Sequence, residues 1–178
     1  MDAVEVKAEQ AAYWRFIRQM PVVAVEALNE DLLVVSKQRR LFIIEVKIST
    51  TDMKQERLKS KHSNIRKALK LPLLEEQKPS YWADPFIWDW LPNYFYFAIP
   101  KTLETKATKI LNEFFPYAGL ITIEKSQGRL LGRTSIVVRN AEMIHGNKLK
   151  LKAIVVAVNA QSASLANAYA RILRERSK

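Results

Sequence analysis

The sequence predicts an α/β fold in which a mixed central sheet is flanked by helices, and three observations support this prediction. Short runs rich in β-branched and aromatic residues, separated by a few polar residues, fill positions 21–48. An apolar run, a helical stretch and a second apolar run succeed one another between 94 and 125. Residues 147–176 have the spacing of a long helix. At 178 residues, the chain is the size of one domain.

The first quarter of the chain predicts one helix and three strands. Apolar residues recur at helical spacing from Val4 to about Met20, and Pro21 cannot continue a helix. Three strand-like runs follow, namely PVVAVEAL (21–28), DLLVVSK (31–37) and LFIIEVKI (41–48). Because only a short polar link separates the last two runs, we expect them to form an antiparallel hairpin.

A basic helix and an aromatic segment come next. Residues 51–71 have a helical pattern, with N-cap candidates just before them and Pro72 just after them. The segment SYWADPFIWDWLPN (80–93) contains Trp82, Trp88 and Trp90, and we expect an irregular loop or a short helix there. Aromatic residues between prolines favour a small satellite core over stacking on unpaired bases.

The second half of the chain predicts a strand-helix-strand unit and a long terminal helix. YFYFAI (94–99), residues 101–115 and AGLITIEK (118–125) form the unit, and TSIVVR (134–139) suggests an edge strand. The C-terminal helix has one apolar seam with steps of four and three residues, which consists of Leu151, Val155, Val158, Ser162, Leu165, Tyr169 and Ile172. We expect this seam to pack on the rest of the chain, with dimerisation as the alternative.

The expected organisation is a single domain with a C-terminal extension. Residues 1–146 form the core, with an aromatic insertion at about 73–93, and residues 147–178 form the helix that packs on the core or mediates dimerisation. The longest apolar runs are far shorter than the ~20 residues of a spanning helix. We therefore expect a cytoplasmic protein without a membrane partner.

Composition excludes several kinds of site. The chain has no Cys and two His, which excludes disulfides, Cys-ligated metals and thiol catalysis. It also lacks a Gly-rich phosphate loop, a Gly-x-Ser-x-Gly elbow and a His-x-x-x-His pair. Oxygen and nitrogen groups of acidic and basic side chains are the remaining candidates for chemistry.

The net charge of +11 is concentrated in two blocks. Residues 32–70 carry 11 basic and 3 acidic side chains, and residues 129–178 carry 10 basic and 2 acidic ones, whereas the other segments are slightly acidic. Such clustering is typical of a surface that meets a polyanion, although a solvated basic surface without a partner has the same composition.

Charged residues close an otherwise apolar strand. Alternation along 41–48 places Glu45 and Lys47 on one face. If the hairpin is centred on Gln38, residues whose numbers add to 76 are paired, so Asp31 lies opposite Glu45. Two opposed carboxylates repel each other unless a cation lies between them, and oxygen ligands favour Mg²⁺ or Mn²⁺.

A surface salt bridge between Glu45 and Lys47 is the simplest interpretation of Glu-Val-Lys, because so short a pattern recurs by chance. The longer pattern is more informative, because an acid is followed after fourteen positions by Glu-x-Lys at a strand end, and then by a basic helix. We therefore favour a functional site over a surface ion pair.

The stretch DLLVVSKQRRLFIIEVKIS resembles the core of the PD-(D/E)xK, or restriction-endonuclease-like, nuclease superfamily. Its continuation resembles the MmcB-like DNA-repair nucleases and Holliday junction resolvase-like proteins, over most of residues 20–125. The resemblance implies a three-layer domain with an αβββαβ core. The Pro of the motif is absent, with Glu30 in its place, and neither the aromatic insertion nor the C-terminal helix belongs to the common core.

The resemblance implies a set of site residues. Asp31 and Glu45, with the backbone carbonyl of Val46, would hold Mg²⁺ or Mn²⁺, and Lys47 would orient or deprotonate the attacking water. A further acid usually comes from the first helix, so we expect Glu9. The alternatives are Glu5, on the same helix face, and Glu26, at the end of the first strand.

The expected function is metal-dependent hydrolysis of DNA phosphodiesters, in repair, recombination or phage DNA processing. The predicted DNA contacts are Arg39, Arg40, Lys54, Arg57, Lys61, His62, Arg66 and Lys67. A catalytically inactive DNA-binding or regulatory module with the same fold is the alternative, and a structural protein assembled through the C-terminal seam is a third. The sequence leaves open the form of the nucleic acid and whether cleavage is endonucleolytic or exonucleolytic.

Overall fold

A mixed β-sheet whose strands follow chain order forms the centre of the molecule. The computed structural model describes residues 1–74, 90–125, 132 and 134–176. Its strands are β1 (Val22–Ala27), β2 (Glu30–Val35), β3 (Leu41–Val46), β4 (Tyr94–Pro100), β5 (Gly119–Ile123) and β6 (Ser135–Arg139). Strands β1 to β3 are antiparallel, β3 to β5 are parallel, and β6 is antiparallel to β5. The predicted mixed sheet, the hairpin and the strand-helix-strand unit are thus confirmed.

Helices cover both faces of the sheet. They are α1 (Ala3–Ala12), α2 (Thr50–Gln55), α3 (Ser60–Ala68), α4 (Glu104–Phe114) and α5 (Leu151–Arg176), with 3-10 turns at Glu56–Leu58 and Lys101–Leu103. Helix α1 packs on one face through Val6, and α2 to α4 pack on the other around Phe95 and Phe97. The protein is therefore an α/β domain with a layer of helices on each side of the sheet.

The predicted first helix differs from the observed one in its second half. The α-helical geometry ends at Ala12, and Tyr13–Ile17 forms a π-helical turn. The wider turn lets the adjacent Tyr13 and Trp14 both pack on the sheet, whereas Phe16 is 72% exposed. The apolar spacing therefore marks the correct segment and the core residues Val6 and Tyr13, but it also includes Phe16 and Ile17, which are exposed.

The C-terminal helix packs on the sheet with the side opposite to the predicted seam. Ala153 and Ala157 are buried against β1, and the side-chain oxygen of Gln161 accepts a hydrogen bond from the backbone N–H of Val23, at 3.1 Å. Leu151 and Val155, two members of the seam, are 68% and 59% exposed. The expectation that the seam packs within the chain is wrong, because small residues allow the other side to approach the sheet closely.

Two further predictions concern the surface. Among the described residues, no helix is long and apolar enough to cross a membrane. Trp82 and Trp88 lie outside the described residues, while Trp90 is half-buried beside the cluster that joins β1 to α5. Trp90 packs on apolar neighbours, in agreement with the predicted satellite core.

Candidate functional site

The candidate site is a cluster of carboxylates and lysines at the carboxyl end of β3. Odd-numbered residues of β3 face α2 to α4, and Ile43 belongs to the apolar core on that side. Two positions further along the strand, Glu45 is only 2% exposed, and Lys47 beyond it is 5% exposed. The face of β3 that is apolar at Ile43 therefore ends in two buried residues of opposite charge, Glu45 and Lys47.

The predicted hairpin register is confirmed. Leu32 pairs with Ile44 and Leu33 with Ile43, so the numbers of paired residues add to 76. The backbone of Asp31 is thereby aligned with Glu45, at the point where β2 and β3 begin to separate. Register alone, however, does not decide where the two side chains point.

The carboxylate of Asp31 makes its described contacts away from Glu45. Its Oδ1 lies 2.7 Å from the Lys7 ammonium of α1, and its Oδ2 accepts the backbone N–H of Val46 at 2.8 Å. The Lys7 ammonium also contacts Glu26, at 3.0 Å, and its pKa is raised because these carboxylates outweigh burial. The expected face-to-face pair of Asp31 and Glu45 is thus replaced by an Asp31–Lys7 ion pair.

Glu30 takes the place that was predicted for Asp31. Glu26, Leu28 and Asn29 all have positive φ, so the β1–β2 connection is tightly wound and reverses the alternation at the start of β2. The carboxylate of Glu30 consequently lies 2.5 Å from the Lys61 ammonium, which is also 2.5 Å from Glu45. The Lys61 ammonium therefore lies between two carboxylates, of which the first is Glu30 and not the predicted Asp31. A metal ion between the acids stays a prediction.

Glu56 is the third acid of the cluster and was not predicted. Ser49 caps α2 by accepting the N–H of Asp52, so the helix starts directly after β3 and runs back over the strand end. Glu56 lies at the end of α2, is 1% exposed, and contacts Lys47 at 2.7 Å and Lys59 at 2.8 Å. Glu56 was not predicted as a site residue because it lies among lysines and arginines in a segment predicted to be a basic helix.

The lysines of the cluster bridge the carboxylates. The Lys47 ammonium lies between Glu45, at 3.2 Å, and Glu56, at 2.7 Å. The Lys61 ammonium also contacts Glu56, at 3.1 Å, in addition to its contacts with Glu30 and Glu45. Alternating signs satisfy charges that would be costly to bury alone. Glu45 thus has ammonium groups on two sides.

The two acids that share Lys61 titrate in opposite directions. Burial and a hydrogen bond with Glu45 raise the pKa of Glu30 to about 8. Burial would also raise the pKa of Glu45, but the hydrogen bond with Glu30 and the charge of Lys61 lower it to about 2. The two carboxyl groups therefore share a proton as a coupled pair, in which Glu30 binds it more tightly than Glu45.

This sharing predicts that the metal-free protein loses stability as pH rises. The folded-state pKa of Glu30 is above its unfolded value, so Glu30 stabilises the fold fully below pH 4.5, and this contribution is lost as pH rises towards about 8. We expect a decline of up to ~1.4 kcal/mol per pH unit in this window. Urea unfolding in chelator from pH 5 to 8.5 measures it. The decline should disappear in Glu30→Gln and persist in Glu113→Gln, and an unchanged slope in Glu30→Gln would contradict the assignment.

His62 is buried beneath the cluster and is not a surface contact. Its Nδ1 lies 2.7 Å from the Tyr117 hydroxyl, its Nε2 lies 3.4 Å from Glu56, and its ring packs edge-on against Phe95. Burial lowers the pKa of His62. The neutral tautomer with a proton on Nε2 suits both partners, so His62 positions Glu56 and cannot touch a DNA phosphate as predicted.

Three other predicted DNA contacts are held by the protein itself. Arg66 is buried, with Nε donating to the Pro72 carbonyl and a terminal nitrogen donating to the Phe114 carbonyl. Arg57 lies over the Phe114 ring, 4.8 Å from its centroid. Arg40 donates to backbone carbonyls at 146 and 147. Arg66 is therefore corrected from a DNA contact to a structural link, because it is buried. DNA contact by the partly exposed Arg40 and Arg57 stays a prediction.

The remaining predicted cations lie on the surface or in the cluster. Lys54 and Lys67 are exposed on α2 and α3, and Arg39 is half-buried at the hairpin tip, where its φ is +60°. Lys61 is part of the ion cluster. Lys59 is half-exposed and lies 3.7 Å from Glu45. We call Lys59 and the exposed Lys54 and Lys67 of the neighbouring helices the basic rim.

The acids proposed for the first helix have other partners. Glu9 is buried on the opposite side of the sheet, where its carboxylate accepts the backbone N–H and the hydroxyl of Thr134 at 3.1 and 2.6 Å. Glu5 forms the capping box of α1 with Asp2. Glu26 is exposed beside Lys7. The acid that joins Glu45 is therefore supplied by the β1–β2 turn and by α2, and not by α1.

The donor set suits a hard divalent cation bound by few protein ligands. Within the described residues, no group of three or more His, Asp or Glu side chains is arranged to hold a metal ion. Mg²⁺ is commonly bound by one or two carboxylates, together with waters and substrate phosphate oxygens. Glu30 and Glu45, which meet at one ammonium, provide two such carboxylates. If Mg²⁺ or Mn²⁺ binds at the cluster, Glu30 and Glu45 are the carboxylates that would hold it, in the place that the Lys61 ammonium occupies.

A cavity of about 340 Å³ opens beside the cluster. Glu30 and Lys61 supply its charged groups, Asn29 and Asn64 supply further polar side chains, and Ile43, Ile65 and Phe95 form part of its apolar wall. The cavity lies over the sheet, between the β1–β2 turn and the residues that lead into β4. Lys61 connects the cavity to Glu45, which its ammonium contacts at 2.5 Å.

The fold and the cluster define an α/β protein with a buried carboxylate-lysine site. No protein-family model and no curated protein matches the chain. Among solved structures, the chain is similar to the SPO1766 protein of unknown function from Silicibacter pomeroyi, with 15% identity and a TM-score of 0.54 over 99% of this chain and 94% of the other. At this identity the likeness concerns the fold alone.

Proposed function

We propose that the protein is a metal-dependent nuclease of the PD-(D/E)xK type that hydrolyses DNA phosphodiesters. One observation supports this proposal above the others: the Glu45 carboxylate is buried at the end of a strand, within 2.5 to 3.2 Å of two ammonium groups and in contact with a second acid. A surface salt bridge would instead be exposed and would have one partner. The αβββαβ restriction-endonuclease-like core is part of the proposal.

Each residue of the cluster has a distinct task. Glu45 and Glu30 would hold the metal, which, when bound, supplies charge stabilisation at the scissile phosphate and lowers the pKa of a coordinated water. Burial lowers the pKa of Lys47, but Glu56 and Glu45 outweigh it and raise the value overall, so Lys47 remains an ammonium. Lys47 therefore orients the water and stabilises negative charge, and the alternative role of general base is disfavoured.

Asp31, the metal ligand that the family resemblance implies, acts in this proposal through the backbone. It accepts the N–H of Val46, between Glu45 and Lys47, and thereby orients the strand end. The Val46 carbonyl remains the proposed third oxygen ligand. A substitution at Asp31 consequently has a smaller effect on cleavage than one at Glu45 or Glu30.

The basic rim supports DNA as the substrate. Lys59 lies beside the cluster, and Lys54 and Lys67 are exposed on α2 and α3; these ammonium groups would contact phosphates without reading the base sequence. The block 32–70 to which they belong has the largest excess of positive charge in the first half of the chain. Binding should consequently weaken steeply as salt concentration rises.

A cleavage panel tests the proposal. We expect linear duplex, single-stranded, nicked, flapped or four-way DNA to be cleaved in Mg²⁺ or Mn²⁺ and to remain intact in chelator, with products resolved on denaturing gels. The full chain and its Lys47→Met variant are compared at equal concentration, and only the full chain should cleave. Absence of metal-dependent cleavage on every substrate, combined with salt-sensitive DNA binding, would favour the non-catalytic DNA-binding module.

A further inference from the structure

Four large apolar side chains of α5 face away from the sheet on which the helix packs, whereas Ile154 is partly buried against that sheet. The side that faces β1 buries the alanines Ala153 and Ala157. The opposite side exposes Leu151, Val155, Val158 and Leu165, which are 68%, 59%, 43% and 64% exposed. Hydrophobic burial favours the reverse distribution, so a second partner for the exposed side is indicated.

The spacing of the exposed residues matches a helix partner. Leu151, Val155 and Val158 are separated by four and three residues, and Leu165 follows one heptad after Val158. The same steps continue in the sequence through Tyr169 and Ile172. This is the spacing at which two helices interdigitate side chains along a shared seam. From Leu151 to Leu165 the exposed seam extends ~21 Å along the helix.

The distribution of charge indicates that the partner is a second copy of this chain. Residues 153–170 contain no charged side chain, although the protein has a net charge of +11. Two copies repel each other over most of their basic surface, and they approach at least cost where that surface is neutral. A neutral, regularly spaced apolar face is also complementary to itself, as a two-fold interface requires.

We propose that α5 mediates homodimerisation, with the exposed seams of two copies packed against each other. The inference is independent of the nuclease proposal, because it uses no residue of the carboxylate-lysine cluster. It also gives the seam a role that packing within the chain does not provide.

Sedimentation equilibrium of the full chain, with and without matched substitutions, tests the inference. We expect dimers at about 50 µM chain, and at least a tenfold weaker association for Val158→Glu, because a carboxylate would be buried in an apolar seam. Val138→Glu is the control, since Val138 on β6 is 42% exposed, close to the 43% of Val158. Circular dichroism of both variants separates lost association from lost folding.

Salt distinguishes this interface from an ionic one. Raising NaCl from about 0.05 to 0.5 M screens the repulsion between the two positive chains, so the dimer should become tighter. A monomer at every concentration and salt, or dissociation by Val138→Glu but not by Val158→Glu, would overturn the proposal. Binding of the monomer to lipid vesicles through the same face would also overturn it.

Discussion

Replacing Glu45 by Gln should reduce metal-dependent DNA cleavage by ~10³-fold or more while leaving the fold and DNA binding intact. Gln keeps the shape of the side chain but removes the negative charge that the proposed metal requires. The exposed lysines of the basic rim are unchanged, so the electrostatic attraction of DNA persists. Initial rates in Mg²⁺ and DNA affinity at fixed salt, both measured for the same preparation, separate the two effects.

Two companion variants make this experiment specific. Glu30→Gln should lower the cleavage rate by at least ~10²-fold, because Glu30 shares one ammonium with Glu45, whereas Asp31→Asn should lower it by less than tenfold. Glu113→Gln, an exposed acid on α4, should have no effect. If Asp31→Asn lowers the cleavage rate as much as Glu45→Gln does, Asp31 is a metal ligand, as the family resemblance implies. Undiminished cleavage in Glu45→Gln would refute the proposed site.

Removing Glu56 should cause the largest loss of stability at the cluster. Glu56→Ala leaves the ammonium of Lys47 buried with fewer negative partners and leaves His62 without its neighbour. Deleting one partner of a buried ion pair typically lowers the free energy of unfolding by ~3–5 kcal/mol. Urea unfolding at pH 7, with linear extrapolation to water, measures the change.

The control uses a different acid on the same lysine. Asp52 lies 3.6 Å from the Lys47 ammonium, but its side chain is about half exposed, so Asp52→Ala should cost less than ~1 kcal/mol. The difference between the two variants isolates burial as the cause. Equal losses of unfolding free energy in both variants would show that burial does not determine the contribution of Glu56 to stability, which would contradict the prediction.

The strands and their register were accessible from the sequence because local chemistry determines them. β-branched runs, polar links and prolines mark the strands, and the sum of 76 across the hairpin follows from the position of its turn. The strand-helix-strand unit at 94–125 has the same local origin. Each of these features depends on residues that are close together in the sequence, so the pattern of residue types predicts it.

The acids that join Glu45 were less accessible because their positions depend on backbone geometry. Positive φ at Glu26, Leu28 and Asn29 reverses the alternation on which the choice of Asp31 depended, and none of these residues is glycine. Glu56 was hidden among lysines, and only the turn of α2 over the strand end shows that it points inward. Glu9 was selected by its distance along the chain, which does not reveal that Thr134 binds it from across the sheet.

The exposed seam of α5 shows that the spacing of apolar residues does not identify the surface on which a helix packs. A spacing of four and three residues indicates an apolar stripe, but it does not say which surface covers that stripe. In α5, Ala153 and Ala157 lie against the sheet. The larger side chains that face outward are those of Leu151, Val155, Val158 and Leu165. Residue volume on the two sides of a helix is thus a signal that the heptad pattern leaves out.

The sequential strand order has a consequence for how the chain folds during synthesis. Each strand from β2 to β6 pairs with the strand made just before it, so the sheet can grow by one edge as the chain emerges from the ribosome. The contact between α5 and β1 departs from this order, because it joins the earliest strand to the latest helix. The apolar side of β1 that carries Val22 and Ala24 therefore stays uncovered by α5 until nearly the whole chain has been synthesised.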